Sequence, residues 1–511
     1  MFKLFKSPSN DPVAELPPVA STGVPGLDAI LHGGLPCEEM HMIQGVAGTG
    51  KTTVALHFLR EGVRLGEPCI YVTLSQSKAH LERMARSHGW SIEGITIHEL
   101  SPGTVADRVA ARQTVLPTVE VELGELFHDL EKVVSKVKPR RAVIDSISIL
   151  QLLAGNTQRY HREVVTLRQL LIEQGCTVIA LADHPAEGEP GQPPEVIFHP
   201  ICGVVIQLSQ HHRPYGDVRR QVRVIKARGL PHNGGLHDFT IRTGEMEVFP
   251  RMGAYSKREY GEFRIVKSGV QELDEVLGGG LEQGTTCLIV GPSGTSKSTL
   301  ASLFAAAAAG RGEHAAIYLF DERPETYKVR SDGVGIPLRE HVEAGRVSLQ
   351  QLDPAEIAPG EFAQQVRQEV ERRGTKVVVI DSMAGYFNAV GSSDLFVAQL
   401  HELLTFLSRN GVLTILAASQ EGFMSIGSQQ GVDISYLSDS ILVLGYYEAE
   451  GSVRRYFVAI KRRHGEHQTT IRDLKIEPGG VHLGPPLKHL RNILLKNGDP
   501  AESSGEGDGN A

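Results

Sequence analysis

The sequence predicts two successive α/β domains, each a mostly parallel sheet flanked by helices, and three observations carry that prediction. The first is an internal repeat. Gly23 and Gly269 lie 246 residues apart, as do Lys51 and Lys297, with matched residues between them at an unbroken register. Such a constant shift marks a tandem duplication. The second is a glycine-rich turn in each copy, set between an apolar run and a helical one: Gly45-Val-Ala-Gly48-Thr49-Gly50-Lys51-Thr52 and Gly291-Pro-Ser-Gly294-Thr295-Ser296-Lys297-Ser298. The third is the unbroken apolar character of the short β-branched runs that follow, as strands buried on both faces require.

Taken in order, residues 1–20 are rich in proline and polar residues and read as a flexible arm. The first domain spans 21–250 and the second 263–484, joined by a linker at 251–262 that lacks apolar periodicity. In the first copy CIYVTL (69–74) is a buried strand and Lys78 to His88 has helical spacing; in the second the strand is AAIYLF (315–320). Further on, RAVID ends at Asp145 and VVVID at Asp381, now 236 apart, so the first copy carries about ten extra residues, assigned to 101–118. The strands TVIALAD (177–183) and LTILAAS (413–419) keep the 236 spacing. Residues 485–511 form a C-terminal segment: Leu487 to Leu494 has the spacing of a docked helix, and the acidic, Gly/Ser-rich end reads as disordered.

Composition sets bounds on function. With 511 residues, 41% hydrophobic and 22% charged, the chain is a folded multi-domain protein. A net charge of −8 argues against a nucleic-acid partner, since phosphate backbones are held by clustered Lys and Arg. Five cysteines stand singly, mostly within apolar runs, which points to reduced core residues and to the cytoplasm. No apolar run approaches a membrane span, and the start MFKLFKSPSN lacks the apolar core of a signal peptide.

The glycine-rich turns carry the chemistry. A strand ends, backbone N–H groups are exposed, and a helix begins with its positive end and a lysine aimed at one point, which suits the polyphosphate of a nucleotide. Lys51 and Lys297 would reach β and γ oxygens, and the hydroxyls of Thr52 and Ser298 would hold Mg2+, with Thr53 and Thr299 next on the helix. Asp145 and Asp381, at the ends of apolar strands, are placed as the Mg2+ or water-positioning carboxylates. The second copy adds Asp321-Glu322 after AAIYLF, where the constant offset gives Ser75-Gln76 in the first. Ser296 is the flaw in the second loop, because a side chain stands where glycine lets the backbone approach phosphate.

These stretches, with SGVQELDEVLGGGL, FDE, VVVIDS, DISYLSDS and the paired KARGLPHNGGLHDFTI and IKRRHGEHQTTIRDL, resemble the KaiC family of RecA-superfamily ATPases over nearly everything from Ser21 to about Leu490. The resemblance implies tandem RecA-like domains and ATP bound at the subunit interfaces of a hexameric ring. It implies that Lys226 and Arg228, and Lys461 and Arg463, reach the γ-phosphate of a neighbouring subunit. It implies that Asp321 and Glu322 support hydrolysis and phosphoryl transfer, with Ser435 matching a phosphoacceptor hydroxyl beside Tyr436, where the family has threonine. Relatives of this kind also imply a histidine-kinase or response-regulator partner. The expectation is that the first copy mainly binds ATP and holds the ring, while the second hydrolyses ATP slowly and phosphorylates Ser435. A scaffold without meaningful catalysis is the alternative. A DNA-dependent motor ranks below it, because Gln420 to Gln430 carries no Lys or Arg where a DNA-lining loop would need them.

Overall fold

The structure, a computed structural model, describes residues 17–100, 118–154, 156–183, 198–212, 216–255, 264–391, 393–419 and 434–488. Residues 1–16 of the arm, the insertion at 101–117, most of the linker, Gln420 to Gln430, and the chain beyond 488 lie outside them. The chain divides into two compact units, Met1–Ala254 with Gly360–Gln364, and Tyr255–Pro359 with Gln365–Ala511.

The first unit is organised on a sheet of nine strands. From one edge to the other they are Glu245–Phe249, His237–Arg242, Arg219–Ala227, Val204–His211, Met40–Gly45, Thr177–Asp183, Arg141–Asp145, Cys69–Thr73 and Ile95–Glu99. The six from Val204–His211 onward pair in parallel, and the first three are added antiparallel. The second unit repeats this order: Gly480–Pro486, Arg472–Glu477, Ser452–Arg462, Ser440–Ala449, Thr286–Val290, Leu413–Ala418, Val377–Asp381, Ala315–Leu319 and Val347–Gln351.

Sequence explains the split within each sheet. The central parallel strands are mostly apolar and buried, as in Ala142–Ile144 and Val377–Ile380, while the parallel edge strands Ile95–Glu99 and Val347–Gln351 are only partly so. The strand Arg219–Ala227 alternates charged with apolar residues and so keeps one face wet, which suits an antiparallel edge. Both copies carry a bulge at the same place, between Val205 and Ile206 and between Ile441 and Leu442, opposite Lys226 and Lys461. Bulges of this kind re-aim the side chains beside them.

In each copy the helix after the glycine-rich turn packs on the sheet. Lys51–Arg64 buries Val54, Ala55, Phe58 and Leu59, and Lys297–Gly310 buries Leu300, Phe304 and a run of alanines. The strands that lead into the turns, Met40–Gly45 and Thr286–Val290, lie mid-sheet with parallel neighbours on both sides. Strand order reverses there, and in open α/β sheets ligands bind outside the carboxyl ends at that point.

Candidate nucleotide sites

The two turns have one geometry. Thr49 Oγ1 donates to the Val46 carbonyl at 2.9 Å, and Thr295 Oγ1 to the Pro292 carbonyl at 2.8 Å. Lys51 Nζ donates to the carbonyls of Gly45 and Val46 (2.6 and 3.1 Å), and Lys297 Nζ to those of Gly291 and Pro292 (2.7 and 2.9 Å). A Cβ on Gly45 or Gly291 would stand 2.5 Å from the carbonyl oxygen of Leu208 or Leu444, so neither position tolerates a side chain. Gly48 and Gly294 share the left-handed conformation, at φ 83° and 79°.

Ser296 takes the same left-handed backbone as Gly50, at φ 77° against 101°. The loop therefore keeps its shape with serine in it, at the strain a side chain meets in that region. A further likeness lies above each turn. Gln210 Nε2 donates to the Ala47 carbonyl (3.2 Å), and Tyr446 OH to the Ser293 carbonyl (3.0 Å).

Each helix N-terminus brings a hydroxyl to a buried carboxylate. Thr52 Oγ1 is 3.4 Å from Asp145 Oδ2, which also accepts a hydrogen bond from Tyr71 OH. In the second copy Ser298 stands beside Asp381 and opposes the rise in its pKa. Burial raises the pKa of both carboxylates above the ordinary value, opposed by Tyr71, Lys51 and Thr52 in the first copy and by Ser298, Arg330 and Lys297 in the second. Burial likewise lowers the pKa of Lys297.

Asp381 Oδ2 is buried and without a hydrogen-bond partner among the described residues. A hydroxyl beside an orphaned carboxylate oxygen at a helix N-terminus fits the Mg2+ that accompanies a nucleotide. Among the described residues no group of three or more His, Cys, Asp or Glu could hold a metal ion, so phosphate oxygens would complete the set. In the first copy a cavity of about 440 Å³ opens over the turn, lined by Gly48, Lys51, Thr52, Gln76, Asp145 and Asp183 among others. That volume is in the range of small-molecule sites.

The copies differ beside the strand-end carboxylates. In the second, Ser382 Oγ donates to Asp321 Oδ2 at 2.5 Å, and Arg330 grips Glu322 through both carboxylate oxygens (2.9 and 2.7 Å). Arg330 also lies over the ring of Tyr327, whose hydroxyl donates to the Ser298 carbonyl at 3.1 Å. In the first copy, the constant offset puts Met84 where Arg330 stands. The backbone of Gln76 is held there by Thr73 Oγ1, at 2.8 and 2.9 Å.

The basic residues expected at a γ-phosphate lie at the other end of their sheets. Lys461 pairs with Ile441 next to Ser440, which pairs with Cys287 at the start of the strand leading to the second turn. At roughly 3.3 Å per residue that is about 10 Å or more from the copy's own turn. Lys461 Nζ donates to the Ser435 carbonyl (2.9 Å) and Arg463 Nη2 to the Tyr436 carbonyl (2.7 Å). In the first copy Lys226 Nζ donates to the carbonyls of His199 and Cys202, and Arg228 Nη2 to that of Pro200 (2.7 Å). Burial, followed by the charge of Arg228, lowers the pKa of Lys226.

Fold and turns together define a nucleotide-binding α/β protein of the phosphate-loop class, built twice in one chain. Comparison with known proteins narrows this. The model of the KaiC ATPase family matches residues 20–253 and again 266–488, and the chain belongs to that family. It is similar to the circadian clock protein KaiC3 of Synechocystis (26% identical, covering 93% of each chain). It is similar also to the circadian clock oscillator proteins KaiC of Thermostichus vulcanus (27%, covering 98% of this chain and 94% of that one) and Acaryochloris marina (26%, 94% and 91%). The two nine-stranded sheets are its duplicated RecA-like domains, and ATP is the nucleotide its family implies. No helix among the described residues is long and apolar enough to cross a membrane.

Proposed function

We propose that this chain is a slow Mg2+-dependent ATPase with its chemistry centred on the second copy, that it assembles as a hexameric ring, and that it acts as a signalling or timing switch. The observation that carries the reading is the linked set around the second turn: Lys297 and Ser298 on the helix, Asp381 against Ser298, and Asp321 and Glu322 on the next strand end. Lys297 and the turn hold the triphosphate, Asp381 and Ser298 hold the magnesium that offsets its charge, and Glu322 takes the proton of the attacking water. The first copy mainly binds ATP and holds the ring.

The far-end position of Lys461, Arg463 and Ser435 supports the ring. Any part they play at a phosphate is played at the turn of another copy, and closed rings are how such head-to-tail faces complete themselves. In the same reading Ser435 accepts a phosphoryl group: its Oγ bonds to the γ-phosphorus, ADP leaves, and the hydroxyl proton passes to the carboxylate pair. The named clock proteins among the relatives support a timing role. In this reading the partner is a histidine kinase or response regulator. All five cysteines are free and four are buried, which suits a reducing cytoplasm.

The test is phosphate release and intact mass for wild type beside Glu322→Gln, with size-exclusion runs with and without ATP. The substitution is expected to lower turnover at the second site by about 10²-fold or more while nucleotide stays bound. ATP-dependent assembly with no phosphate release above background would contradict the ATPase and leave the scaffold reading. An unmodified mass with ATP bound would remove the autokinase.

A further inference from the structure

The first copy lacks Asp321 and Glu322 but not a carboxylate at the same height of the sheet. Asp183 ends the strand Thr177–Asp183, with more than half of its side chain exposed, on the wall of the 440 Å³ cavity. Its Oδ1 is 2.9 Å from Lys51 Nζ, its Oδ2 accepts from Ser146 Oγ at 3.4 Å, and Ser148 Oγ accepts from its backbone N–H at 2.9 Å.

The registers show what has happened between the copies. Asp145 is flanked by Thr73 on one side and Leu181 on the other, so Ser75 and Asp183 each lie two residues further along. Asp381 is flanked by Leu319 and Ala417, which puts Asp321 and Ser419 at those two positions. Serine and aspartate have exchanged sides across the central strand. The serine that follows each strand-end aspartate is bonded to the carboxylate in both copies, Ser146 to Asp183 and Ser382 to Asp321. All these strands are parallel and end at the edge that carries the phosphate turn.

We infer that Asp183 is a catalytic carboxylate of the first site, which orients and deprotonates water there and makes the first copy a second, slow ATP hydrolase. The inference rests on the reading that both turns hold ATP, and goes beyond it. The water oxygen bonds to the γ-phosphorus, the bond from that phosphorus to the β–γ bridging oxygen breaks with its electron pair leaving on ADP, and the water proton passes to Asp183 and then to solvent. A triphosphate in the turn competes with Asp183 for Lys51, so nucleotide binding and release of the carboxylate are one event.

The experiment uses the full chain carrying Lys297→Ala, which leaves the first turn as the working site, and reads phosphate release together with binding of a fluorescent ATP analogue. Asp183→Asn and Asp183→Ser are expected to cut release by roughly 10²-fold or more, while the analogue binds as well or several-fold tighter because Lys51 loses a competitor. Adding Ser75→Asp with Gln76→Glu to Asp183→Ser recreates the second copy's carboxylate pair and is expected to restore release. Release within about twofold of the Lys297→Ala parent in both Asp183 variants would overturn the assignment. Bound analogue with no release in that parent, above the level of Lys51→Ala with Lys297→Ala, also overturns it and leaves ATP binding standing. Absence of bound analogue overturns both readings.

Discussion

The two candidate nucleotide sites share a turn and differ in what flanks it. The lysine, the threonine clamp and the close approach of Gly45 or Gly291 to a neighbouring carbonyl are the same to within a few tenths of an ångström. The carboxylates around them are not: one copy has Asp321 and Glu322 on the strand on one side, the other has Asp183 on the strand opposite. Phosphate is gripped by backbone geometry, which constrains sequence tightly, whereas a proton acceptor has only to reach the same place. Two flanking parallel strands offer two such routes.

The largest effect expected from disturbing this comparison is on stability in acid. His41 is fully buried in the first copy, with Nε2 against the Pro36 carbonyl (2.8 Å) and Nδ1 accepting from the Val204 N–H (3.2 Å). Burial lowers its pKa from 6.5 to about 4. The unfolded chain therefore takes up a proton that the folded one refuses. The stability involved is intact above pH 6.5 and is lost as pH falls toward 4, on the order of 3 kcal/mol for this group. His41→Cys, which installs the residue found at Cys287, should flatten the acid loss, read as the midpoint of the first domain's unfolding against pH.

Next comes Asp381. Its carboxylate is buried and its pKa raised, so its charge costs stability at neutral pH and the cost fades as pH falls through the raised value. Asp381→Asn should raise the melting temperature of the metal-free second domain by about 2–4 °C for each kcal/mol relieved, and should abolish the further rise that Mg2+ with ATP gives that domain in the wild type. A thermal shift assay reads both.

Arg330 sharpens the comparison from the other side. It holds Glu322 in the second copy, where the first has Met84 with Gln76. Arg330→Met should leave Glu322 ungripped and lower kcat by about tenfold with KM little changed, as expected for a positioning residue. The smallest effect is at Ser296. Ser296→Gly relieves the left-handed strain and should stabilise the second domain by about 1 kcal/mol, measured as the midpoint of its unfolding.

Most of the fold was legible, because buried parallel strands are continuous apolar runs and the repeat fixed their order twice. The position of the turns, and of Asp145 and Asp381 at strand ends, was legible for the same reason. Three antiparallel edge strands in each sheet were not separated out, since an alternating strand such as Arg219–Ala227 does not announce its direction. Asp183 was missed because TVIALAD was read only as a strand. The signal was there: at constant offsets Ser75 faces Asp321 and Asp183 faces Ser419, two opposite changes whose meaning appears only when the flanking strands are known to share a centre. Arg330 carried no signal, since an arginine on an amphipathic helix is ordinary until its partner is seen.

The most direct measurement is steady-state phosphate release by assembled Lys51→Ala and Lys297→Ala proteins under conditions where each binds ATP at its remaining site. Turnover should persist in both, with the larger share lost on Lys297→Ala and the remainder in that protein removed by Asp183→Asn. If Lys51→Ala abolishes all turnover while Lys297→Ala leaves it unchanged, the chemistry does not centre on the second copy and the account is contradicted.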